Sequence, residues 1–211
     1  HENPSLLDDK KFNPEYTRIP SSSDGFSWGY PDDALFNRAL VARDSIGHTP
    51  TLEVFLTLSM HDPYSPPNTG YWISRLKNHV NKMNPNSTLR QTFRSKAIPL
   101  ATMLYTDNAI RNLFKGMKQQ TGYNNTIFII CGDHNIGIGS YSLIEKYTVP
   151  LIIYSPLLKE HKNFPAVSAT ADITPTILNL LSSKYAINLP KTTHWLGAPL
   201  DTCSTFRCNR F

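Results

Sequence analysis

The chain has 211 residues, with 21 Lys and Arg against 16 Asp and Glu, for a formal charge of +5. A hydrophobic content of 40% with 11% aromatics excludes a disordered chain, and the length fits one domain with a sizeable core. Sixteen prolines argue for many loops and strand ends rather than a helical bundle. No segment reaches the roughly 18 apolar residues needed to span a bilayer.

Taken in chain order, residues 1–27 read as an irregular, Ser- and Pro-rich approach. A helix is expected from Pro31, since proline suits the first helical position. Asp32 and Asp33 then fall in its positive first turn and Arg38 and Arg43 toward its end, as partners of the helix dipole. Residues 52–58 read as a buried strand that delivers Ser59-Met60-His61-Asp62-Pro63-Tyr64. A short helix is expected over 71–79, with Trp72 and Leu76 on one face.

From Thr88 the pattern is helical to about Lys118, with Pro99 expected to kink or break it. Beyond Pro99, Met103, Leu104, Ile110, Leu113, Phe114 and Met117 follow helical spacing and read as core. Asp107 on the same edge reads as a structural hydrogen-bonding group. Ile127 to Cys131 is short, continuously apolar and β-branched, as in a strand covered on both faces, which would bury Cys131. Gly132 lets the chain turn, and Asp133 and His134 follow at the carboxyl end of that strand. Open α/β sheets place their ligand sites there.

A second buried strand is expected over Val149–Tyr154, with Pro150 at its start, where a missing ladder donor does least damage. Thr174 can cap a helix with Pro175 at its first position and Ile177, Leu178, Leu180 and Leu181 as its apolar side. Asp172 reads as local capping. Cys203 and Cys208 lie close enough for a local disulfide, with two free thiols the alternative. Strands alternating with helices through short connections predict an α/β fold, a mostly parallel sheet flanked by helices.

A carboxylate beside an imidazole suits a divalent cation such as Mn²⁺, Zn²⁺ or Mg²⁺, Ca²⁺ being a further option. A bare Asp-His pair is more often a turn residue beside a solvent-facing ring. The ordered set of segments changes that balance. Leu56-Thr-Leu-Ser-Met-His-Asp-Pro-Tyr64, Thr126 to Asn135, Tyr147 to Pro156, Ala171 to Leu181 and Gly197-Ala-Pro-Leu200 together resemble the sulfatase family of the alkaline phosphatase superfamily. The flavour is nearest to the lipoteichoic acid synthase and phosphoglycerol transferase branch, and the likeness covers roughly residues 26 to 201.

The resemblance implies an alkaline phosphatase-like domain with one or two divalent metals at the carboxyl edge of its sheet. Asp133 and His134 match its late metal-ligand pair. His61 matches a histidine at the substrate's charged group, and so has a catalytic and substrate-binding role. Trp28 lies in a segment resembling the substrate side of the lipoteichoic branch. His194, beside a segment resembling the family's closing loop, is a further substrate-side candidate. The implied reaction is hydrolysis or transfer of a sulfate or phosphate ester group.

The family's nucleophile motif and first acidic ligand are not found ahead of Trp28, and the Cys/Ser-x-Pro-x-Arg motif is absent. Residues 28–211 are therefore expected to be the C-terminal part of a larger catalytic domain, inactive without its nucleophile. The parent would work in the extracytoplasmic cell envelope, anchored to the membrane by N-terminal segments not present here. The alternative is a catalytically dead binding domain that keeps the fold. Asn135 stands where the family usually places Gly. The positive charge suits an anionic ester substrate. Basic residues are scattered, and no recognition helix, zinc finger or aromatic RNA-binding motif occurs, so nucleic acid is not an expected partner.

Overall fold

A computed structural model describes residues 29–46, 50–84, 86–138, 142–190, 192, 194 and 196–205. The chain divides into two compact units, one within His1–Asn124 and Asn135–Thr148, the other within Asn125–His134 and Val149–Phe211.

The first unit is helical. Helix α1 spans Asp32–Ile46, α2 spans Thr69–Val80 and α3 spans Thr88–Met117. Helix α1 begins just after Pro31, with Asp32 and Asp33 in its first turn and Arg43 in its last, as expected. Helix α3 starts at Ser87, whose hydroxyl accepts from the Arg90 amide at 3.2 Å and so satisfies one of the unpaired donors of the first turn. It bends at Lys96, where φ is −133° and ψ is 35°. Pro99 accounts for the bend: it has no N–H to give the preceding turn, and its ring crowds that turn's carbonyls.

The core of this unit forms between α2 and α3. Trp72, Leu76 and Val80 of α2 pack against Leu100, Ala101 and Tyr105 of α3, with Ile73, Phe93, Leu104 and Ile138 around them. The Trp72 and Tyr105 rings meet edge to face at 5.7 Å. The buried face of α3 is thus Leu100, Ala101, Thr102, Tyr105, Ala109 and Met117, while Met103 is exposed. Met117 is buried and Leu104 packs against the core, as expected; Met103 is the correction, while Ala101 and Ala109 join the buried face, where small side chains let neighbouring helices approach closely. At Gly116 a Cβ would lie 2.4 Å from a Leu40 methyl of α1.

Residues 52–58 form neither a helix nor a ladder among the described residues. Phe55 packs edge-on against Phe36 of α1 at 5.8 Å, whereas Leu52, Val54 and Leu56 are exposed. The expected buried strand is therefore covered on one side only, because the described residues supply a layer to that side alone.

The second unit holds strands β1, Phe128–Cys131, and β2, Leu151–Tyr154, followed by a 3₁₀ turn at Thr170–Asp172 and helix α4, Ile173–Tyr185. The strands pair antiparallel, with Phe128 opposite Tyr154 and Cys131 opposite Leu151. The Gly132 amide extends the pairing by donating to the Pro150 carbonyl at 3.1 Å. Parallel neighbours were expected here. Between these strands the described chain has only a 3₁₀ turn at Glu145–Tyr147, with no crossover helix, and an antiparallel pair needs none. Cys131 is exposed rather than buried, since β1 has one ladder neighbour and no cover over its last residue among the described residues. Helix α4 begins one residue before the expected cap, which places Pro175 third in the helix, still within the turn that needs no amide donor.

Among the described residues no helix is long and apolar enough to cross a membrane. Cys208 and Trp28 lie outside the described residues, and with them the Cys203–Cys208 disulfide and the Trp28 substrate contact.

Candidate functional site

His61 follows a turn anchored by the most buried charged group of the first unit. Asp32 is fully buried. Its Oδ1 accepts from the Leu58 amide at 3.1 Å, the Ser59 amide at 3.0 Å and the Ser59 hydroxyl at 2.8 Å. Its Oδ2 accepts from Thr106 Oγ1 at 2.9 Å. A buried carboxylate is tolerated only when its lone pairs are filled, and here Leu58, Ser59 and Thr106 of α3 fill them. Sequence reasoning took Asp32 for a dipole partner only. The signal it missed was the short polar Ser59 at the end of an apolar run.

Asp33 makes the neighbouring tie. The Tyr105 hydroxyl donates to Asp33 Oδ1 at 2.5 Å and accepts from the Asp33 amide at 3.1 Å. Burial, then this hydrogen bond and the nearby carboxylate charges, push the Tyr105 phenol far above its ordinary range. Tyr105 is therefore a neutral structural donor.

Past Ser59 the chain turns tightly. The His61 amide donates to the Leu58 carbonyl at 3.0 Å, and the Tyr64 amide to the His61 carbonyl at 2.8 Å. The His61 ring is exposed, and its Nδ1 lies 2.8 Å from the Asp62 carbonyl. A carbonyl only accepts, so Nδ1 carries the hydrogen and Nε2 is the atom turned to other partners. The Tyr64 hydroxyl donates to the Ile136 carbonyl at 3.5 Å, tying this turn to the segment after His134.

Asp133 and His134 follow β1 directly. Gly132 makes the exit possible: a Cβ there would meet Val149 Cβ at 3.1 Å and Pro150 Cδ at 3.3 Å. The two side chains are 76% and 66% exposed, and Asp133 Oδ2 lies 3.6 Å from His134 Nε2. Asp133 Oδ1 accepts from the His134 amide at 2.8 Å, a local turn that aims both groups outward. This donor set, one hard oxygen and one imidazole nitrogen, fits two positions around a divalent cation. Among the described residues no cluster of three or more His, Cys, Asp or Glu side chains is placed to hold a metal, so the pair is not joined by His194 in such a cluster.

Asn135 closes the next loop. Its Oδ1 accepts from the Gly137 amide at 2.7 Å and its Nδ2 donates to the Glu145 carbonyl at 3.3 Å. At the far end, the amide and hydroxyl of Ser142 hydrogen-bond Glu145 and hold its carboxyl below the usual range.

His194 is exposed and leads into a tightly docked segment. Buried Asp172 accepts from the Ala169 amide at 2.8 Å and the Ala198 amide at 3.0 Å. Thr176 Oγ1 donates to the Asp172 carbonyl at 2.6 Å and accepts from the Leu200 amide at 2.8 Å. Asp172 precedes α4 as expected, but its side chain caps the 3₁₀ turn before it and holds Ala198, and makes no side-chain cap bond to α4 itself. Asp107 likewise has a structural partner, Arg111, at 3.0 Å along one helix face.

The helices and the small sheet fit an alkaline phosphatase-like α/β fold. The comparisons agree. A crystal structure of a protein in the alkaline phosphatase superfamily from Vibrio parahaemolyticus matches with a TM-score of 0.53 and 24% identity, over 79% of this chain and 36% of that one. The family model described as Sulfatase matches residues 1–183, and the chain belongs to that family. The lipoteichoic acid synthase-like YvgJ of Bacillus subtilis (strain 168) is 22% identical over 174 residues, which span 74% of this chain and 26% of that protein. The chain thus spans about a quarter of that curated relative and about a third of the solved structure.

Proposed function

We propose that this chain supplies part of the metal- and substrate-binding machinery of a sulfatase-family enzyme that hydrolyses or transfers a sulfate or phosphate ester. The observation that carries the reading is the exposed carboxylate and imidazole side by side at the carboxyl end of β1. Asp133 and His134 are the ligands of a divalent cation, with further ligands from beyond the described residues. When bound, such a cation lowers a nucleophile's pKa and offsets charge developing on the transferred group. His61 presents Nε2 to an anionic oxygen, and donation from that atom requires the doubly protonated ring, because Nδ1–H is engaged by the Asp62 carbonyl. Trp28 and His194 are further substrate-side groups. The lipoteichoic acid synthase-like relative favours a membrane-anchored enzyme of the cell envelope, working outside the cytoplasmic membrane.

Titration of the chain with Mn²⁺, followed by paramagnetic resonance and calorimetry, tests the ligand assignment. Weak binding is expected, and Asp133→Asn or His134→Ala abolishes it. Binding unchanged in the double variant overturns it. Sulfate and phosphate competition, compared between the native chain and His61→Ala, tests the anion contact separately.

A second reading is a binding domain that keeps the fold without the chemistry. The lack of a three-ligand cluster among the described residues favours it. Metal binding without turnover of aryl sulfate or phosphate esters, in a protein spanning the full length of its relatives, would select it.

A further inference from the structure

One peptide group, the one joining Leu58 to Ser59, is hydrogen-bonded at both ends. Its N–H donates to the Asp32 carboxylate at 3.0 Å, and its C=O accepts from the His61 amide at 3.0 Å. A trans peptide is planar and rigid, with these two groups on opposite sides, so what holds one end sets the other. The buried end is firmly held. The Leu58 amide and the Ser59 and Thr106 hydroxyls bond the same fully buried carboxylate. At Gly29, where φ is +145°, a Cβ would stand 3.0 Å from Leu58 Cδ1, so the Leu58 side chain is also pressed against backbone.

The outer end is as closely specified. The His61 carbonyl accepts from the Tyr64 amide at 2.8 Å, and Nδ1 lies 2.8 Å from the Asp62 carbonyl. Tyr64 closes the turn with φ at 55°, a left-handed conformation that a bulky residue keeps only when its surroundings impose it. The amide, the carbonyl and one ring nitrogen of His61 are thus all engaged, which sets the tautomer and the direction of Nε2. A charged acceptor on the N–H of a peptide also polarises its C=O, and so strengthens the bond that the His61 amide makes.

We propose that Asp32 is a positioning residue for His61: through the Leu58–Ser59 peptide it holds the turn in which the ring keeps its hydrogen on Nδ1 and offers Nε2. The use of Nε2 for an anionic ester rests on the function proposed above, whereas the positioning of the ring does not.

Nitrogen-15 resonance of the neutral His61 ring, with amide exchange and a titration with inorganic sulfate, tests it on the 211-residue chain. In the native chain a single Nδ1–H tautomer is expected, and sulfate shifts the ring signals once the ring is doubly protonated. Folded Asp32→Ala reverts to the tautomer mixture of a solvated imidazole and binds sulfate at least about tenfold more weakly. Leu76→Ala, which opens the core between α2 and α3, lowers stability without changing the tautomer. Where Asp32→Ala does not fold, Asp32→Asn decides the matter. The neutral amide keeps the shape but gives up the charge-assisted bonds, so exchange at the Ser59 and His61 amides quickens together, by about five- to tenfold. A quickened Ser59 amide beside an unchanged His61 amide overturns the proposal. A mixed tautomer in the native chain, or the native tautomer in folded Asp32→Ala, also overturns it. A single native tautomer that is lost in Asp32→Ala, with no response to sulfate in either protein, overturns the anion reading and supports the positioning.

Discussion

Asp32 and Ser59 hold each other through reciprocal hydrogen bonds: the Ser59 hydroxyl donates to the Asp32 carboxylate at 2.8 Å and accepts from the Asp32 amide at 3.1 Å. Both residues are buried, and the pair fixes the point from which the His61 turn departs. Asp32→Ala leaves the amides of Leu58 and Ser59 and two hydroxyls without their acceptor. We expect a loss of about 2–4 kcal/mol by urea denaturation, and about 1–2 for Ser59→Ala. The double variant should lose less than the sum, because both changes remove the bond from the Ser59 hydroxyl to the Asp32 carboxylate. Strict additivity would show that the two do not act as a unit.

Tyr105 sets a limit at alkaline pH. Its phenol is raised in the folded protein by burial first and by its bond to Asp33 second. The unfolded chain therefore releases this proton earlier, near the ordinary phenol value of about 10. Below that pH the contribution of this group is fully present. Above it stability falls by about 1.4 kcal/mol per pH unit until the folded phenol ionises. Tyr105→Phe removes that slope while lowering stability at neutral pH, where the Asp33 bond is lost. Equal alkaline slopes for the two proteins, measured by denaturation between pH 9 and about 11, would contradict the assignment.

Elements whose partners are close in sequence were legible. Pro31 and the aspartates after it mark the start of α1, and the helical pattern from Thr88 the start of α3. Trp72 and Leu76 lie on the buried face of α2, as their spacing predicts. What failed was inference about cover. The runs at 52–58 and 127–131 read as buried strands, yet Val54 and Cys131 are exposed, because periodicity reports what a strand can bury and not whether a layer arrives. The choice of Ala101 and Ala109 over Met103 was illegible for a related reason. It depends on how closely neighbouring helices approach. The Asp133–His134 pair was readable from its place after the strand, whereas the Asp32–Ser59 junction joins residues 27 positions apart and left only a faint local trace.

Two glycines should respond very differently to alanine. At Gly197 a Cβ would lie 2.0 Å from the Ala171 carbonyl oxygen, a backbone atom fixed by the Asp172 turn. At Gly116 the clash is with a Leu40 methyl, which can rotate away. Gly197→Ala should cost about 2 kcal/mol or more and speed amide exchange at Ala198 and Leu200, as their bonds to Asp172 and Thr176 are pulled apart. Gly116→Ala should stay within about 1 kcal/mol, because helix propensity offsets the repacking. Unchanged protection at Ala198 in the first variant would mean that the segment is not held as described.

The Asn135 side chain bonds to both Gly137 and Glu145. An Asn at this point therefore clips the loop that follows Asp133 and His134, where Gly would leave it open. Asn135→Gly removes both bonds and adds backbone freedom, so the loop should open locally at a cost of about 1–2 kcal/mol. Amide exchange at Gly137 should quicken by about tenfold, since 1.4 kcal/mol is a factor of ten in a local opening equilibrium. Exchange in α2 and α3 should change less, because the loop meets their Trp72–Tyr105 core at its rim, through partly buried Ile138. If Gly137 exchanges equally fast in both proteins, the side chain of Asn135 does not close the loop. Its presence there would then have to be explained by what it offers a ligand.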